Sequence, residues 1–194
     1  MAKNDNAHAR RLAASLRRYA GHDAAEAFGE SYPLSKSASI EKKYEWARSV
    51  CGYLEEHFET DDIIAIRKEC RCNDGKSIAN KLLKYLNRAD SMEEFVDLFN
   101  GSETFAVLQY IDDHTILFCY PQCYCACVKR VPKELSKTWC SCTLGNAEGI
   151  FREVFKKDVK VTLLGSIKTG ADRCTIKIEW RSVFQVCRAV TQDG

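Results

Sequence analysis

Apolar positions in the first half of the chain recur at helical spacing. Residues 7–20 carry Leu12, Leu16 and Tyr19 on one face among arginines, ahead of a stop at Gly21. Residues 40–58 place Tyr44, Ala47, Val50, Cys51, Leu54 and Phe58 on one stripe. Thr60, Asp61 and Asp62 suit the start of a helix through Ile63, Ile64, Ile66 and Arg67. Residues 77–88 repeat the pattern with Ile78, Leu82, Tyr85 and Leu86. Ser91 and Glu94 form a capping box ahead of Phe95, Val96, Leu98 and Phe99, with Gly101 as the stop.

The period then changes. Residues 105–111 and 115–120 are rich in β-branched and aromatic residues, and Asp112-Asp113-His114 between them reads as a hairpin loop. An irregular cysteine-rich segment spans 121–143. A short helix over 145–157 buries Ile150, Phe151, Val154 and Phe155. Two more strands, 159–164 and 174–180, close the chain's ordered pattern. The spacing predicts an α+β fold: N-terminal helices packed on a four-stranded antiparallel sheet in β-β-α-β-β order, with one covering helix. Residues 1–100 form a helical region and 101–194 a cysteine-rich α+β region, together one compact unit.

Composition changes this picture in one respect. A chain of 194 residues buries roughly 70% of its unfolded surface and needs no cross-links to fold. Its formal charge of +2 gives no support to a nucleic-acid or membrane-surface binder. No stretch reaches the roughly 18 apolar residues of a membrane span, and no basic start precedes an apolar run. A cytoplasmic location, where thiols stay reduced, is expected. Yet the chain holds 11 cysteines, an odd number that suits a pure disulfide framework poorly.

Six of them fall between residues 119 and 142. The core of the pattern is Cys123-Tyr-Cys125-Ala-Cys127, then Cys140-Ser-Cys142. In extended chain, side chains at i, i+2 and i+4 share a face, so each arm can present its sulfurs together. The connecting segment contains Pro132 and can fold back. Cys174, opening the last strand, is the sixth candidate. Thiolate is the favoured structural ligand of Zn²⁺, which takes four ligands. An iron–sulfur cluster needs the same set, and Cu(I) prefers sulfur. Lys129, Arg130, Lys133 and Lys137 in the connecting segment can offset the thiolate charge. Cys51, Cys119 and Cys187 lie in apolar patterns and read as core. Cys70-Arg-Cys72, at a helix end, either completes the cluster or forms a redox pair.

Other chemistry is thinly represented. The four histidines, His8, His22, His57 and His114, give no clear base for a nucleophilic thiol. No dinucleotide, P-loop, serine-hydrolase or zinc-protease motif occurs. Glu148 and Glu153 are the carboxylates nearest the cysteine arms in sequence, as a fourth ligand, a base or simply a solvated face. Trp139, Tyr120 and Tyr124 interleave the cysteines and can wall a pocket.

The stretch Glu148-Gly-Ile-Phe-Arg-Glu-Val-Phe155, then Val159-Lys-Val161, then Gly170-Ala-Asp172-Arg-Cys174-Thr-Ile-Lys-Ile178 resembles the C-terminal half of two groups. These are the vinyl-reductase-type small-molecule-binding domains and the amino-thiazoline-carboxylate hydrolase-like proteins. The whole chain looks most like uncharacterised cysteine-rich bacterial or archaeal proteins of that group. The resemblance implies a pocket for a small organic ligand, a homodimer, and in some members a structural zinc. Only Cys174 matches a family ligand position. Leu163 and Ser166 stand where an acidic residue and a cysteine are usual.

The expectation is a small-molecule-binding protein with a thiolate metal site, zinc first and iron–sulfur second, on Cys123, Cys125, Cys127, Cys140, Cys142 and Cys174. The alternatives are a hydrolase acting on a small sulfur- or nitrogen-containing substrate, and a thiol redox or soft-metal sensor. No catalytic residue is assigned.

Overall fold

The structure is a computed structural model and describes residues 4–181; Cys187 lies outside them. Seven α-helices and four strands follow in order: α1 (Ala7–Ser31), α2 (Ile40–His57), α3 (Thr60–Glu69), α4 (Lys76–Leu86), α5 (Met92–Asn100), β1 (Val107–Asp112), β2 (Thr115–Tyr120), α6 (Lys137–Cys140), α7 (Cys142–Phe155), β3 (Val159–Gly165) and β4 (Cys174–Trp180). A 3₁₀ turn, Ile167–Thr169, precedes β4. The sheet is antiparallel in the order β1-β2-β4-β3, as the β-β-α-β-β pattern predicts. No helix among the described residues is long and apolar enough to cross a membrane.

Two details differ from the sequence expectation. Gly21, at φ 87°, interrupts α1 without ending it, and the helix resumes to bury Ala25 and Phe28. α7 covers the sheet and helices of the N-terminal region pack with it, as expected. The sheet's inner face, Leu108, Phe118, Ile116, Ile176 and Ile178, packs with Phe95 and Phe99 of α5, Leu82 of α4, and Ile150 and Phe151 of α7. A second core joins Leu12, Leu16 and Phe28 of α1 to Trp46, Val50 and Leu54 of α2, Ile66 of α3, and Cys127, Val128 and Trp139. The expected cap of α5 is present: Ser91 Oγ accepts from the Glu94 amide at 3.1 Å. Glu94, however, reaches the Asp90 amide at 2.7 Å instead of that of Ser91.

The two cores meet where α3 crosses α7. A Cβ added at Gly145 would lie 1.9 Å from the Lys68 carbonyl oxygen, so glycine sets the approach of the two helices. That crossing places the end of α3 beside the start of α7, and the cysteine-rich segment runs across the same place.

Candidate functional site

The cysteine-rich segment is fixed from both ends. After β2 the chain bends at residues 121–122 and runs without regular structure from Cys123 to Cys125. The Cys125 carbonyl then accepts from the amides of Val128 (3.2 Å) and Lys129 (2.9 Å), which closes a turn. Further on, the Leu135 amide donates to Lys168 O at 2.7 Å, and the buried Lys168 ammonium donates to the carbonyls of Val131 and Lys133. Ser136 then caps α6, which ends at Cys140; Ser141 is the joint, and Cys142 begins α7.

This path brings together thiols far apart in sequence. Cys123, Cys125, Cys140, Cys142 and Cys174, with Cys72 from the end of α3, line one cavity of ≈ 340 Å³. Phe105, Tyr120, Tyr124, Trp139 and Ile78 supply most of the remaining wall. Cys174 stands opposite Tyr120 in the β2–β4 register, and its sulfur accepts from the Ile167 amide at 3.5 Å. All ten described cysteines are free.

Five of the six sequence candidates therefore line the cavity. Cys127 does not: the turn after Cys125 swings it into the helical core, where its thiol donates to Lys43 O at 3.5 Å. The extended geometry expected for the second arm does not hold, since Cys140 and Cys142 sit at a helix junction. Cys70 and Cys72 part company, with Cys70 buried against Ile66 O at 3.4 Å and Cys72 at the cavity. Cys51 and Cys119 are buried, as expected of core cysteines. Glu148 pairs with Lys68 and Arg152, and Glu153 with Lys156; neither lines the cavity. Lys129, Arg130, Lys133 and Lys137 are exposed and do not serve as the inner countercharge.

The inner cations are others. Arg67 is 3% exposed, donates to Trp139 O at 2.8 Å and lies 4.5 Å over the indole ring. The Arg11 guanidinium lies 3.2 Å from His8 Nδ1 and 3.9 Å from Cys72 Sγ. Sequence reading missed both, because each sits in an ordinary amphipathic helix. The signal was present at Arg67, which falls beside Ile63 and Ile66 on the apolar side of α3.

Removal from water pushes the thiols of Cys140 and Cys142 up to about 12 and raises those of Cys123 and Cys174. They are protonated at neutral pH, and a neutral thiol is a poor nucleophile. Among the described residues no histidine, aspartate or glutamate lines the cavity to act as a base. The thiols sit on the walls rather than converge: among the described residues no group of three or more His, Cys, Asp or Glu side chains stands ready to hold a metal. Buried polar atoms without a partner gather here, with Trp139 Nε1 and Asn146 Oδ1 on lining residues and Arg11 Nε and Arg67 Nε beside them.

Residues 2–184 match the model of a family of unknown function, DUF6144. The chain belongs to this family. No curated protein matches it. Among solved structures it is similar to an H-NOX protein from S. oneidensis in the Fe(II)NO ligation state, at 14% identity, covering 91% of this chain and 99% of that one with a TM-score of 0.45. It is also similar to a mutant of an Fe(II) unliganded H-NOX protein from K. algicida, at 8% identity, covering 92% and 98% with a TM-score of 0.44. At such scores the arrangement is read from this chain's own elements. The likeness of Glu148–Ile178 to the vinyl-reductase-type and amino-thiazoline-carboxylate hydrolase-like groups is not among these matches.

Proposed function

We propose that the cavity binds a soft metal ion on cysteine thiolates, within a site sized for a small-molecule ligand. Zinc is the first metal to test, and an iron–sulfur cluster the second. The observation that carries this reading is the gathering of six thiols from four separate stretches of chain around one cavity. Cysteine as mere core filler is spread through the apolar interior, as Cys51 and Cys119 are here. Thiolate prefers soft and borderline metals, and Zn²⁺ takes four such ligands. Cys123, Cys125, Cys140 and Cys142 form the proposed set, with Cys174 and Cys72 flanking it. Cys125 lines the same cavity as the other five. The free thiols fit a reducing compartment, and the cytoplasm is the location proposed.

The neutral thiols and the absence of a lining base among the described residues favour binding over hydrolysis. The test is a pair of variants. Cys125→Ser is expected to lower the affinity for Zn²⁺ by about a hundredfold, in line with the loss of one of four strong ligands. Cys119→Ser, in the sheet, leaves it unchanged. Competition against a chromophoric chelator reads both. Equal affinities in the two variants and the native protein would remove the thiol cluster from the site.

A further inference from the structure

Arg67 is a buried cation without a buried anion. Among the described residues it forms no ion pair, although its side chain is removed from water. The nearby carboxylates are already engaged, Glu69 by Arg18 and Glu148 by Lys68 and Arg152. Trp139, over whose ring Arg67 lies, lines the cavity together with the thiols, and the Arg11 guanidinium is 3.9 Å from the sulfur of Cys72, another lining residue. Three N–H donors around the same place have no acceptor among the described residues, namely Arg67 Nε, Arg11 Nε and Trp139 Nε1. A charge held in this way is unfavourable unless something compensates it.

We infer that the cavity's ligand is bound as an anion, and that Arg67, seconded by Arg11, is the positioning residue that selects this charge. The inference rests on the metal reading above and adds its electrostatics. A Zn²⁺ ion that displaces four S–H protons to solvent forms four Zn–S bonds and leaves two negative charges on the cluster. No oxidation or reduction occurs. Arg67 and Arg11 supply the matching positive charges, with the Arg11 guanidinium 3.9 Å from Cys72 Sγ. A positive field at this place has a second witness. His8 is held down to about 4 by burial first, then by Arg11, Arg67 and Lys43. It is therefore neutral at pH 7, with Nδ1 free to accept from Arg11.

The experiment compares two ligands on the full chain. The first is Zn²⁺, whose tetrathiolate is anionic. The second is phenylarsine oxide, whose adduct is neutral: two S–H protons pass to the oxide oxygen, which leaves as water, two As–S bonds form, and arsenic stays trivalent. Arg67→Met is expected to weaken Zn²⁺ binding by about tenfold to a hundredfold, from the loss of one nearby charge at an effective dielectric of about 20. Phenylarsine oxide affinity stays within a few-fold, and the metal-free variant melts no lower than the native protein. Arg67→Lys keeps the charge and restores most of the Zn²⁺ affinity, which covers the case in which the methionine variant fails to fold. Equal weakening toward both ligands, or a lysine variant as weak as the methionine one, would reduce Arg67 to a packing role and overturn the inference. Failure of the native protein to bind Zn²⁺ at all would instead overturn the metal reading.

Discussion

Gly145→Ala is expected to destabilise the protein by about 3 kcal/mol or more, the upper range for forcing an extra carbon into a packed interior. The added methyl would stand 1.9 Å from the Lys68 carbonyl oxygen and 2.6 Å from its carbon. Both belong to backbone, so no side chain can turn aside. α3 and α7 must separate, and with them the Cys72 and Cys142 walls of the cavity. Native stabilities of about 5–15 kcal/mol leave little reserve for this. A thermal melt followed by circular dichroism measures the loss. Faster alkylation of Cys142 in the folded variant would show that the cavity has opened. A melting temperature equal to that of the native protein would contradict the packing described for the two helices.

The second large effect is alkaline. The thiols of Cys127, Cys140 and Cys142 are pushed up to about 12 by burial, from an ordinary value of 9.0. Between those values the unfolded chain releases protons that the folded chain retains. The sign follows from linkage: stability contributed by these thiols is complete below about pH 9 and falls as pH rises toward about 12. Each tenfold difference in acidity is about 1.4 kcal/mol, and Cys51, pushed up to about 11, adds to the same window. Denaturant midpoints taken across this range are expected to fall steeply in the metal-free protein. Metal reverses the slope for the thiols that ligate it, since those are deprotonated when bound. A flat alkaline profile of the metal-free protein would mean that the thiols are not buried as described.

The sheet was legible because its strands keep a clean pattern. Cys174–Trp180 alternates as a strand facing one core, and its bounds agree with the expectation. The second part of α1 was not legible, since a glycine inside a helical run reads as a stop and only Ala25 and Phe28 mark the continuation. Five of the six candidates, four read from spacing and Cys174 from its place at the start of the last strand, line the cavity. Cys127 was misplaced because the rule that i, i+2 and i+4 share a face assumes extended chain, and hydrogen bonds to the Cys125 carbonyl bend it. The countercharge was misread for a related reason. Lys129, Arg130, Lys133 and Lys137 are near the cysteines in sequence, whereas Arg67 and Arg11 reach them only through the crossing of α1, α3 and α7. Sequence distance does not report such contacts.

The most direct test of the thiolate site is cadmium titration of the reduced full chain, followed by native mass spectrometry, pH-stat proton counting and alkylation mapping. The expected result is stoichiometric uptake with release of about one proton per thiolate ligand. Cys123, Cys125, Cys140 and Cys142 become protected from alkylation, while the reactivity of Cys51, Cys70 and Cys119 is unchanged. No uptake, or uptake that leaves the alkylation of these four residues as it was, would contradict the account.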